Sequence, residues 1–183
     1  MIEGDVPRRL RWVVAAAWLS LLWFDAVAAS GCQDEARRGV ARLSHSGSAE
    51  AVATAVVDGD TFVSTIDGAA RRIRLARIDA PEKRQAYGHR AEQALRELVW
   101  KRTVQISWAR LDRNCRPIAE VRVDGVDVSE AMVRKGMAWQ YTAYSQTPGL
   151  TAIEQQARNR HVGLWSDPNP IPPWEWRRTH DKL

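Results

Sequence analysis

Four carboxylates sit in two short turns of a chain that is basic elsewhere. In VVDGDTF they are Asp58 and Asp60; in RIRLARIDAPEK they are Asp79 and Glu82. Taken singly, Asp-Gly-Asp-Thr is an ordinary hairpin turn. Asp-Ala-Pro-Glu is an ordinary strand exit in which Pro81 stops the ladder. Together they say more. The β-rich runs on either side of Asp67-Gly68 should pair as a hairpin, which brings Asp60 and Asp79 to the same open end. Two carboxylates held close repel unless a proton or a cation lies between them. Oxygen donors without paired His or Cys favour calcium or a similar hard ion, and His45, His89, His161 and His180 are scattered without zinc spacing. Arg74 and Arg116 lie in different predicted strands or strand entries. Most surface arginines are simply solvated, but beside a metal-bound phosphate the planar fork grips two oxygens and offsets charge that builds during attack. One preorganised donor of this kind is worth about 10²–10³ in rate.

Strands and helices must position these groups. Three β-rich runs, near 51–57, 60–66 and 70–78, are punctuated by Asp58-Gly59 and Asp67-Gly68 and predict a meander. A helix follows, with Ala91, Ala94, Leu95 and Leu98 at helical spacing. TVQISWARL and PIAEVRVDG read as two more strands, ending at Asp124-Gly125. In the next helix Asp127 and Glu130 are placed as a capping box and Gly136 as a stop. A third helix near 150–160 starts either at Thr151, with Glu154, or at Thr147-Pro148. The fold class is α+β: a five-stranded Greek-key barrel of the oligonucleotide/oligosaccharide-binding type with three helices, one candidate among several on pattern alone.

The chain has 183 residues and a formal net charge of +5, which suggests an anionic partner such as nucleic acid or an anionic membrane. Residues 1–30 read as a signal peptide: Arg8, Arg9 and Arg11 form a positive region, WVVAAAWLSLLWF an apolar core, and AVAAS a cleavage site. The apolar run is short against the roughly 20 residues of a membrane-spanning helix. These features predict an exported protein, periplasmic or secreted. Three fates are open for Cys32: a cleaved soluble form, lipidation at the lipoprotein-like box ASGC, which would tether the chain to a membrane, or a disulfide with Cys115. Residues 31–49 read as a flexible linker, 50–168 as the folded domain, and 169–183, containing IPPWEWRR, as a Pro/Trp-rich tail whose Trp174 and Trp176 fold back on the domain.

In order and spacing, VVDGDTF…IRLARIDAPEK…DRNCRPIAEV…VRKGMAW…GLWSDP resembles the staphylococcal nuclease (thermonuclease) family, from about Val52 to about Asp167. The resemblance implies a calcium-dependent endonuclease on an oligonucleotide-binding barrel, cutting DNA and RNA to 3′-phosphate and 5′-hydroxyl ends. It implies Asp60 and Asp79 as calcium ligands, with the backbone carbonyl of Ala80 beside them. By the same match Glu82 activates or orients the attacking water, and Arg74 and Arg116 clamp the phosphate. Tyr141 and Tyr144 match the segment whose tyrosines stack on a base or touch a phosphate; packing beside Trp139 is the alternative for either. Lys83, Arg84 and His89 follow Glu82 in a loop where they either track the nucleic-acid backbone or are simply solvated, and Arg113 could contact a phosphate. One departure stands out. Asn114-Cys115-Arg116 replaces the family's frequent Tyr-Gly-Arg, so Cys115 is strained or the loop rearranged if that glycine has positive φ. The expectation is an exported, monomeric, calcium-dependent nuclease favouring single-stranded substrates. The alternatives are a binding-only barrel and a lipid-anchored surface protein.

Overall fold

The computed structural model describes residues 43–143 and 147–180. Strands β1 (Gly47–Val56), β2 (Thr61–Ile66) and β3 (Ala69–Leu75) form the expected meander, and β4 (Ile78–Asp79) follows. Helix α1 (Gly88–Val99) leads to β5 (Thr103–Leu111), β6 (Pro117–Val123) and β7 (Val126–Asp127). Then come α2 (Val128–Arg134), β8 (Trp139–Gln140), α3 (Pro148–Asn159), a 3-10 turn at Gly163–Ser166 and α4 (Pro173–His180). Leu43–Asp112 and Arg116–Leu183 belong to one unit; the loop tip Arg113–Cys115 groups outside it and is described by itself.

The sheet order is β3-β2-β1-β5-β6-β7, and a parallel pairing of β3 with β6 closes five strands into a barrel. Alternation explains the closure. In β2, β3, β5 and β6 every second residue points inward, and Phe62, Ile73, Leu75, Val104, Ile106, Ala119 and Val121 fill the interior. Helix α1 closes the barrel with Ala91, Ala94, Leu95 and Val99, α2 with Met132 and Val133, and α3 with Leu150. The Asp67-Gly68 turn has φ of 51° and 72°, the two positive angles that a tight type I′ hairpin requires.

Three boundaries differ from the sequence reading. The strand expected over 70–78 breaks at Ala76-Arg77, because Arg77 has φ 70° and turns the chain out of the ladder. The guanidinium of Arg77 then pairs with Asp127, the N-cap of α2, whose carboxylate accepts the Glu130 N–H at 3.0 Å. The barrel's first strand starts at Gly47, inside the stretch read as linker, because 47–52 pairs with β5. Finally, the described residues hold four helices rather than three: the Pro/Trp-rich tail, expected to fold back on the domain through Trp174 and Trp176, forms α4, with Pro173 buried at its start. Helix α3 starts at Pro148 after Thr147, the second of the two starts considered.

Candidate active site

The register of the β2–β3 hairpin sets the site. Thr61 pairs with Arg74, and the Leu75 N–H donates to the Asp60 carbonyl at 2.8 Å, so Asp60 and Arg74 lie at one end of the barrel. After the break at Arg77, β4 pairs Asp79 with Trp139 and returns its side chain to the same place. Gly59 makes the approach close: a Cβ there would stand 2.7 Å from the Ala80 Cβ and 2.6 Å from the Ala91 Cβ. Asp58 serves its own loop, accepting the Asp60 N–H at 3.1 Å, a local turn that this side chain commonly makes.

Asp60 and Asp79 are both buried, at 3% and 0% exposure. One Asp60 oxygen takes bonds from Thr61 Oγ1 and the Arg74 guanidinium; the other accepts the Ala80 N–H at 2.9 Å. Arg74 also donates Nη2 to Asp79 Oδ1 at 2.7 Å, so its fork spans the two acids. Burial pushes the Asp60 carboxyl up to about 7, and the nearby Asp58 and Asp79 add to the rise; the Arg74 charge and the Ala80 N–H pull it back only in part. For Arg74, burial opposes the charge, but Asp60 and Asp79 outweigh it and hold the guanidinium more firmly protonated.

Glu82 follows in a tight turn, where its carbonyl accepts the Gln85 N–H at 2.8 Å and its N–H donates to Gln85 Oε1 at 3.1 Å. Gly88, the first residue of α1, backs this turn: a Cβ there would stand 2.0 Å from the Glu82 carbonyl oxygen. Arg177 of α4 completes the cluster. Its Nη1 meets Glu82 Oε1 at 2.7 Å and Asp79 Oδ1 at 3.2 Å, and its Nη2 meets Asp79 Oδ2 at 2.7 Å. Burial disfavours this cation too, yet its bonds to Asp79 and Glu82 prevail and raise its pKa.

The structure therefore brings together Asp60, Arg74, Asp79, Ala80 and Glu82, and adds Arg177. Arg116 is engaged by Asp112: its Nε pairs with Asp112 Oδ2 at 2.7 Å and its N–H donates to Asp112 Oδ1 at 2.9 Å, at the entry to β6, where Ile118 pairs with Arg74. In the loop before it, Cys115 has φ 58°, in the left-handed region that favours glycine, and is buried and disulfide-bonded. Cys32 lies outside the described residues, and Arg113 is exposed. Lys83, Arg84 and His89 are exposed. The Tyr141 ring stacks on Trp174, with centroids 5.6 Å apart. Tyr144 lies outside the described residues. Sequence reasoning missed Arg177, Gln85 and Asp112. Asp112 stands four residues before Arg116, a visible spacing; nothing in the local pattern of PPWEWRR shows that it meets Glu82.

Among the described residues no group of three or more His, Cys, Asp or Glu side chains is arranged to hold a metal ion. The buried carboxylates of Asp60 and Asp79 are oxygen groups of the kind a hard cation favours. With Asp58, Asp60, Asp79 and Glu82 ionised against Arg74 and Arg177, two negative charges remain, the complement of a divalent cation.

The family described as Staphylococcal nuclease homologue matches residues 72–167. The chain belongs to the staphylococcal nuclease family. Among its relatives in this family is Protein ParB of Escherichia coli, 42% identical over 134 residues, covering 67% of this chain and 76% of that protein. An uncharacterized endonuclease of Escherichia coli O157:H7 is 43% identical over 123 residues, covering 67% and 80%. A micrococcal nuclease of Shigella flexneri is 37% identical over 134 residues, covering 67% and 77%. Staphylococcal nuclease homologues are in general metal-dependent. The family match ends at Asp167, so α4 and Arg177 lie beyond it.

Proposed function

We propose that the chain is an exported, calcium-dependent endonuclease that cleaves DNA and RNA, single strands preferred, to 3′-phosphate and 5′-hydroxyl ends. The observation that carries this reading is the gathering of Asp60, Asp79 and Glu82 with Arg74 at one end of the barrel. Nuclease names among the relatives support it, as does a net charge of +5 suited to a polyanion.

Asp60, Asp79 and the Ala80 carbonyl would hold the ion, and the all-oxygen set favours calcium. Bound there, calcium would polarise the phosphodiester and hold the attacking water. Glu82, with a side chain 41% exposed beside two buried acids, is the carboxylate open to solvent and takes the proton of that water. The water oxygen bonds to phosphorus, the bond to the 5′-oxygen breaks, and that oxygen leaves to be protonated. Arg74, and Arg116 once substrate draws it from Asp112, donate to the phosphate oxygens and offset the added charge. The n-region, apolar core and cleavage box of residues 1–30 support export; monomeric behaviour is part of the same reading.

The test is Glu82→Gln, which keeps shape and removes the base. Cleavage of labelled single-stranded DNA in calcium should fall by roughly 10²–10⁴, with binding retained. Undiminished cleavage would remove Glu82 from this role.

A further inference from the structure

The C-terminal helix lies outside the matched family region, yet it reaches the acids by three separate attachments. Gln85 is buried, and its amide joins the two parts: Oε1 accepts the Glu82 N–H at 3.1 Å, and Nε2 donates to the Ile171 carbonyl at 2.6 Å. The turn that carries Glu82 is thus tied to the residue that leads into α4. Trp174 fixes the helix itself, edge-on to Trp139 at 5.8 Å and stacked on Tyr141. Trp139 is the strand partner of Asp79, so this anchor is also registered to a site residue. Arg177 follows one turn after Trp174, and its fork bridges Asp79 and Glu82.

We propose that Arg177 is a positioning residue of the active site, setting the Glu82 carboxylate against Asp79. The inference rests on the nuclease reading above. The donors of Arg177 decide between holding the acids and gripping substrate: Nη1 is shared between Glu82 and Asp79, and Nη2 is given to Asp79. A carboxylate offers about four lone-pair sites. Asp79 has three engaged, two by Arg177 and one by Arg74, so a position remains for a cation with Arg177 in place.

The experiment compares the full chain with Arg177→Ala and Arg177→Lys, each alone and with Glu82→Gln, on a labelled single-stranded oligonucleotide in calcium. Arg177→Ala should lower kcat by about 10–100-fold, the usual effect of removing a partner that orients a site ligand, with KM little changed. Lysine should restore only part, since one ammonium cannot span both acids as the fork does. In the Glu82→Gln background the alanine substitution should cost almost nothing further, because a residue acting through Glu82 has nothing left to orient. Calorimetric calcium binding should be no tighter in Arg177→Ala than in wild type. Unchanged or raised kcat, or tighter calcium binding, would make Arg177 a competitor of the cation and overturn the proposal. A rise in KM alone would make it a substrate contact, and an undiminished cost beside Glu82→Gln would make it a general support of the fold; either contradicts it. An inert wild type would sink the nuclease reading and this inference together, whereas an active wild type matched by Arg177→Ala would sink the inference alone.

Discussion

At the residue scale, Asp60 has the most unusual environment. Its carboxyl is raised to about 7 by burial, against the pull of Arg74. In the unfolded chain the same group titrates at about 4. Between these values the folded protein holds a proton that the unfolded chain has lost. The stabilisation is therefore complete below about pH 4 and is lost as pH rises toward 7, at up to about 1.4 kcal/mol per pH unit. Denaturant unfolding in chelator should show this fall, and Asp60→Asn should flatten it; an unchanged slope would remove Asp60 as its source. Individual identities were legible in the sequence because strand pairing is short-range: Asp67-Gly68 fixes the hairpin, and the hairpin places Asp60 opposite the segment that carries Arg74 and Asp79. Arg177 was not legible. Its contact with Glu82 spans 95 positions, and no turn or periodicity reports a pairing of that length.

At the element scale, the turn from Glu82 to Gln85 depends on the helix behind it. Helix α1 can start as close as it does only because Gly88 carries no side chain. Gly88→Ala would place a methyl group 2.0 Å from the Glu82 carbonyl oxygen. The turn or the helix must then shift, at a cost of about 1–3 kcal/mol for an overpacked site. A displacement of about 1 Å at a catalytic group can cost about 10² in rate. Gly88→Ala should therefore lower the cleavage rate by about 10² alongside a stability loss of about 1–3 kcal/mol, measured by cleavage kinetics and by thermal unfolding. Equal wild-type activity would show that the turn does not set Glu82. Most elements could be read from sequence because alternation and helical spacing are local properties: β5 and β6 run Thr103–Leu111 and Pro117–Val123, the stretches TVQISWARL and PIAEVRV. Two features resisted. Arg77 breaks a strand whose composition favours continuation, and its reason, the ion pair with Asp127, lies 50 positions away. The helix α4 is short and proline-flanked, and it is held by packing of its Trp174 against Trp139 and Tyr141 rather than by intrinsic helix propensity.

At the scale of the whole molecule, the barrel presents its acids at one end while the chain as a whole is basic. The formal net charge of +5 suits an anionic partner. The C-terminal tail, expected from sequence to fold back on the domain through Trp174 and Trp176, meets the acids through Arg177, so the acid cluster draws on more chain than the matched region 72–167. The most direct measurement of the central claim is cleavage of an end-labelled single-stranded oligonucleotide by the full chain, in calcium and in chelator, with the product ends analysed by phosphatase treatment. The account predicts cleavage in calcium alone, with 3′-phosphate ends that phosphatase removes. Cleavage that persists in chelator, or products ending in 3′-hydroxyl, would contradict it.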